Sequence, residues 1–120
     1  MRLHVLVIDD DDAVRRSIVR MLTAHGHDAA GAIDGQEALR LALQRTPNVI
    51  IMDVHMPEQN GIDVARMLRQ HSSLATVPII SLSATPDHIA DAGLFQQILS
   101  KPCASSDLLI AVLSAAQSQA

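Results

Sequence analysis

Five positions in this 120-residue chain carry side chains able to work together on an anion and a metal: Asp9, Asp10, Asp53, Ser83 and Lys101. Carboxylates can hold a hard divalent cation through oxygen, and one can attack an electrophilic centre as a nucleophile. A hydroxyl and an ammonium can grip the oxygens of an anion. Each residue alone is weak grounds, because aspartate often caps helices and serine often opens turns. Their placement is more telling, since each follows the end of a short apolar run. Asp9 and Asp10 follow Leu3–Ile8, Asp53 follows Val49–Met52, Ser83 follows Val77–Leu82 and Lys101 follows Phe95–Leu99. Lys101 is also the only lysine, the other eight basic residues being arginine, so a compact point charge stands where the chain otherwise uses guanidinium.

The runs that carry these residues are rich in Val and Ile and nearly continuous, as strands covered on both faces require. Asp28–Ala32 supplies a further, weak strand. Between the runs lie helical periods. Val14, Ile18, Met21 and Leu22 recur at helical spacing up to Gly26, with Asp11 and Asp12 capping that helix. Asp34 with Glu37 opens a second helix, carrying Leu39, Ala42 and Leu43 on one face until Pro47. A third follows Gly61, with Val64, Ala65 and Leu68 inward; a short fourth is expected over Pro86–Ala92. A last helix from about Ser106 presents Leu109, Val112, Leu113 and Ala116. Five strands alternating with five helices predict a doubly wound α/β fold, a five-stranded parallel sheet with helices on both faces. Ligands of such sheets bind beyond the carboxyl ends of the strands, which is where the five polar positions fall.

Carboxylates gathered at about 4 Å repel, each pair costing on the order of 4 kcal/mol at an effective dielectric near 20. A hard divalent cation offsets this, and Mg²⁺ suits one or two carboxylates with waters and phosphate oxygens, Mn²⁺ being an alternative occupant. The same charge lowers the repulsion between an incoming phosphoryl group and Asp53, whose carboxylate is placed to attack it. Lys101 would then hold a phosphoryl oxygen, or Asp53 itself before transfer, and Ser83 a second oxygen.

On these residues the sequence resembles the receiver domains of two-component response regulators, from Leu3 to about Ala116. The acidic pair matches Asp9-Asp10, the phosphoacceptor loop matches Asp53-Val54-His55-Met56-Pro57 with Gly61 four residues on, the hydroxyl position matches Ser83-Ala84, and the lysine-proline pair matches Lys101-Pro102. The resemblance implies the flavodoxin-like strand order 2-1-3-4-5, and a phosphoryl group received on Asp53 from a sensor histidine kinase or a histidine phosphotransfer protein. It implies that Asp10, Asp53 and the His55 backbone carbonyl hold Mg²⁺ while Asp9 acts through water, and that Lys101-Pro102 is a cis peptide. One departure stands out: the aromatic often found three residues before the lysine is Ile98 here.

Other readings of the same residues are a Mg²⁺-dependent phosphohydrolase working through an aspartyl phosphate, and a receiver-like scaffold that is never phosphorylated. A flavin binder on the same topology fits poorly, because the Asp9–Asp12 loop lacks the glycines of a phosphate-binding turn and the chain has no Trp or Tyr. The net charge of −4 argues against direct nucleic-acid binding. A single cysteine, Cys103, fits a reducing compartment, and with no apolar stretch of membrane-spanning length the expected location is cytoplasmic. One receiver domain over residues 1–120, with no effector domain, is the expected organisation.

His55 and Thr85 stand two residues beyond Asp53 and Ser83 and flank the expected phosphoryl position. Replacing His55 by Ala is expected to change the lifetime of the acyl phosphate, followed by its hydrolysis after labelling; an unaltered lifetime would remove His55 from that role.

Overall fold

The apolar runs become strands wherever both of their faces are covered. In the computed structural model, which describes residues 2–56, 59–84 and 92–117 and only the backbone at 55, 56, 59 and 92, these are β1 (His4–Ile8), β2 (Asp28–Ala32), β3 (Val49–Asp53), β4 (Ile79–Ser83) and β5 (Gln97–Ser100). They form one sheet in the order β2-β1-β3-β4-β5, and every neighbouring pair is parallel. That is the order expected above. Helices α1 (Asp12–Ala24), α2 (Gly35–Gln44), α3 (Gly61–Arg69) and α4 (Ser105–Gln117) flank it.

Alternation along the strands divides the core in two. Leu6, Ile8, Ile50, Met52 and Ile79 pack with Ala38, Ala42, Val64 and Leu68 of α2 and α3, while Val5, Val7, Val49, Ile51 and Ile80 pack with Ile18, Leu22, Leu108 and Val112 of α1 and α4. Because the three central strands are buried on both sides, their sequences are apolar throughout rather than alternating.

Several expectations need correction. Four α-helices, not five, are present among the described residues; apart from Ala92, the helix expected over Pro86–Ala92 lies outside them, and a 3₁₀ turn, Ala92–Leu94, precedes β5. In α4 the buried positions are Leu108, Ala111, Val112 and Ala115, so the inward stripe is displaced from the expected one, which kept only Val112 fully buried. An almost wholly apolar helix fixes its own phase poorly, and the neighbouring sheet decides it. In α2 the buried stripe is Ala38 and Ala42, leaving Leu43 50% exposed. His27, just before β2, is buried, its Nδ1 accepting the Leu3 N–H at 3.1 Å.

Local hydrogen bonds fix where each helix begins. The Asp11 carboxylate accepts the Val14 N–H at 3.1 Å, which starts α1 immediately beyond Asp9 and Asp10. Asp34 accepts the Glu37 N–H at 2.8 Å and Glu37 accepts the Ile33 N–H at 3.0 Å. Asn60 accepts the Ile62 N–H at 2.8 Å, and Gly26, at φ 85°, follows the end of α1. Arg69, at the end of α3, donates to the carbonyls of Leu74, Val77 and Leu94, tying that helix to the approaches of β4 and β5.

Gly61 is the tightest of these junctions. A Cβ there would lie 2.7 Å from Val54 Cα and 2.8 Å from the Asp53 carbonyl oxygen, both backbone atoms that cannot swing aside. Gly61→Ala is therefore expected to lower unfolding stability by about 1–3 kcal/mol, whereas Gly93→Ala, with nothing within 4 Å, changes it little; denaturant titration of both variants checks this.

Candidate functional site

Parallel strands that end level place their terminal residues on one rim. β1 ends at Ile8, so Asp9 and Asp10 emerge beside Asp53, the last residue of β3, whose register partner in β4 is Leu82. Ser83 is the next residue along β4, and its carbonyl accepts the Lys101 N–H at 2.8 Å, which carries the chain from β5 to the same rim. The Val54 N–H donates to the Leu82 carbonyl at 3.2 Å and the Gly61 N–H to the Val54 carbonyl at 3.0 Å, clamping the turn after Asp53.

One carboxylate oxygen from each of Asp9, Asp10 and Asp53 lies within 4.8 Å of the others. Asp9 and Asp53 are buried and Asp10 is exposed. The Lys101 ammonium closes the cluster, Nζ standing 2.9 Å from Asp53 Oδ2. Against three acidic side chains one cation is insufficient, so the rim keeps a net negative charge.

Asp9 is satisfied on one oxygen alone. Its Oδ1 accepts the Asp11 N–H at 2.9 Å, while Oδ2 is buried and has no hydrogen-bond partner among the described residues. Burial, reinforced by Asp53 and Asp10 and opposed by the Asp11 N–H and Lys101, raises its pKa from 3.8 to about 6. A buried carboxylate oxygen without a donor, facing two further carboxylates, is what a hard cation satisfies through oxygen ligands. The residues present thus fit Mg²⁺ or Mn²⁺.

Sequence reasoning singled out all of these side chains. The fold brings Asp9, Asp10, Asp53 and Lys101 together, Ser83 ends its strand at the same rim, and Ala84 follows it on the surface. Lys101-Pro102 is cis. For His55 only the backbone is described, placed in a short antiparallel ladder with Asn60, and Thr85 lies outside the described residues. Arg15 was missed. Its guanidinium donates to the Asp9 carbonyl at 3.0 Å and to Asp12 at 2.6 Å, steadying the acidic turn. The only signal for it was the Asp12-to-Arg15 spacing of a helical ion pair.

The fold and this rim define a doubly wound α/β domain with a lysine-bridged carboxylate cluster at its switch point. A family model described as response regulator receiver domain matches residues 5–113. The response regulator MprA of Mycolicibacterium vanbaalenii is 40% identical over 114 residues, covering 91% of this chain and 48% of that protein. The DNA-binding response regulator MtrA of Mycolicibacterium smegmatis is 37% identical over 89 residues, 74% of this chain and 38% of its own length. The chain spans about half the length, or less, of these curated relatives. Among solved structures, the chemotaxis response regulator CheY4 of Vibrio cholerae superposes with a TM-score of 0.87 at 27% identity, over 96% of this chain and 99% of that one. The receiver domain of the hybrid histidine kinase CckA gives 0.79 at 30% identity, over 95% and 99%. The chain belongs to the response regulator receiver domain family and is a signalling domain. Among the described residues no helix is long and apolar enough to cross a membrane.

Asp9 also sets a pH dependence. With a pKa of 3.8 in the unfolded chain and about 6 in the folded one, the folded state binds this proton more tightly, so ionised Asp9 costs stability above that upper value. The cost, at most about 3 kcal/mol by linkage, fades as pH falls through the window and is gone below the unfolded pKa. In EDTA, Asp9→Asn is expected to be more stable than the parent at about pH 7.5 and no more stable at about pH 4; equal unfolding midpoints at the higher pH would refute this.

Proposed function

We propose that this domain is the phosphoacceptor of a two-component phosphorelay. Its phosphoryl donor is the phosphohistidine of a sensor histidine kinase or a histidine phosphotransfer protein, and its acceptor is Asp53. The observation that carries the reading is the Lys101 ammonium 2.9 Å from Asp53 Oδ2, beside a cluster of three carboxylates whose buried Asp9 has an unmatched oxygen.

Asp53 presents its carboxylate at the mouth of the sheet, and attack by one oxygen on phosphorus forms the acyl phosphate O–P bond as the donor's N–P bond breaks, leaving the imidazole to take up a proton. Asp10, Asp53 and the His55 carbonyl would hold Mg²⁺, with Asp9 acting through water, and the ion would supply positive charge against the negative charge gathered on the rim. Lys101 already neutralises the carboxylate that reacts, and its ammonium passes to a phosphoryl oxygen once that oxygen carries the charge. Ser83 supplies a hydroxyl from β4 to another phosphoryl oxygen, with Ala84 beside it leaving room. The domain in this way catalyses its own phosphorylation and later hydrolysis, and no external substrate turns over.

The output is a surface. Charge on Asp53 draws the loop after Ser83 inward and favours a form with different outer contacts, which a downstream protein or effector domain reads. On this reading one receiver domain occupies residues 1–120 and works in the cytoplasm, where kinase and phosphodonor meet it, without touching nucleic acid or membrane itself.

Incubation with acetyl phosphate and Mg²⁺, followed by intact mass, is expected to add one phosphoryl group to the parent and none to Asp53→Asn. Omission of Mg²⁺ should abolish the gain. Labelling of Asp53→Asn to the parent level would place the acceptor elsewhere.

A further inference from the structure

The edge of the sheet far from Lys101 holds a second feature, independent of the phosphoryl chemistry. β2 is the terminal strand, paired only with β1. The Asp28 N–H donates to Leu3 O at 2.8 Å and Ala32 O accepts from the Asp9 N–H at 3.1 Å, so residues 28, 30 and 32 turn their backbone groups toward β1. By the alternation of a parallel ladder, the N–H and C=O of Ala29 and Gly31 face outward, where they have no partner among the described residues.

Sheet edges are usually blunted by proline, a bulge or a mid-strand charge. This one has none: its sequence is Asp-Ala-Ala-Gly-Ala, charged only at its first residue. Gly31 lacks a Cβ where one would lie 2.9 Å from Arg15 Cδ, so the Arg15 side chain lies across it on the α1 side.

Alongside Gly31 runs a groove of about 400 Å³ between α1 and β2, lined by Arg15, Arg16, Val19 and Arg20. Arg15 is committed to Asp9 and Asp12. Arg16 and Arg20 are exposed and make no ion pair or hydrogen bond among the described residues, although the chain as a whole carries a net charge of −4. Asp12, whose carboxylate also feels the charge of Arg16, is held by Arg15 at 2.6 Å.

We propose that the β2 edge and the α1 arginines form one docking site for an extended, acidic segment of a partner protein, added to the sheet as a further strand. Outward backbone groups at Ala29 and Gly31 supply the ladder, and Arg16 and Arg20 read carboxylates on alternate residues of the segment facing α1. A polyphosphate or nucleic acid fits less well, because it offers acceptors but no backbone donors for the Ala29 and Gly31 carbonyls.

The probe is a fluorescein-labelled heptapeptide of alternating Glu and Thr, with the same peptide N-methylated at every backbone amide as its counterpart. The Glu-Thr peptide is expected to bind at low salt, to shift the amide resonances of Ala29 and Gly31, and to lose affinity as salt rises. The double variant Arg16→Glu with Arg20→Glu should weaken it by about tenfold or more. Both arginines are exposed and outside the acidic rim, so circular dichroism and acetyl phosphate labelling of that variant should match the parent. No binding at millimolar peptide, or equal affinity in the charge-reversed variant, overturns the site. Equal binding of the N-methylated peptide or of tripolyphosphate overturns the strand addition and leaves only an anion-attracting surface.

Discussion

Mutual repulsion among Asp9, Asp10 and Asp53 is the constraint around which the rest of the domain is arranged. Three carboxylate oxygens within 4.8 Å of one another would spread apart on a mobile loop, since separation and hydration relieve the charge at little cost. Here they cannot spread. Asp53 is the last residue of a strand buried on both faces, Asp9 follows another such strand, and Asp11 anchors the intervening turn to α1. The apolar core holds the charges close, and Lys101 removes only part of the excess. Burial in that core, reinforced by the neighbouring carboxylates, raises the pKa of Asp9 to about 6. A site kept deficient in positive charge is ready to receive a cation, and with it an anion that the acidic rim would otherwise repel.

The supporting contacts make sense in that light. Gly61 lies so close to the Asp53–Val54 backbone that any side chain would push that turn aside, and the Val54 carbonyl is held by the Gly61 N–H. Arg15 braces the Asp9 carbonyl from α1. The Ser83 carbonyl receives the Lys101 N–H, so the strand ending in Ser83 and the strand leading to Lys101 share a hydrogen bond at the rim. None of these groups needs to touch a substrate; each limits how far a reacting side chain can drift.

Family membership leaves a local difference at residue 98. Where the family often carries an aromatic, Ile98 pairs in register with Ser81 and packs, half-buried, against the cluster containing Met52 and Phe95. Its side chain is short and branched and belongs to that core. A ring swinging between exposed and buried positions is therefore not available at residue 98.

The sequence alone determined the sheet, its strand positions and the identity of the candidate reacting side chains, because buried parallel strands must be apolar and whatever ends them stands out against that background. It also located the helix starts, since Asp11, Asp34 and Asn60 act within a few residues of themselves. Features that depend on a distant partner were decided only by the tertiary structure. The phase of α4 was ambiguous in a helix apolar nearly all round until the sheet selected Leu108, Ala111, Val112 and Ala115. Leu43 reads as a core residue in sequence, yet is half exposed because Ala38 and Ala42 bring α2 close to the sheet. The unmatched oxygen of Asp9, the role of Arg15 and the unpaired edge beside Arg16 and Arg20 likewise arise from segments far apart in the chain. Local patterning encodes the elements, but the electrostatic environment of any one group is set by which elements are packed against it.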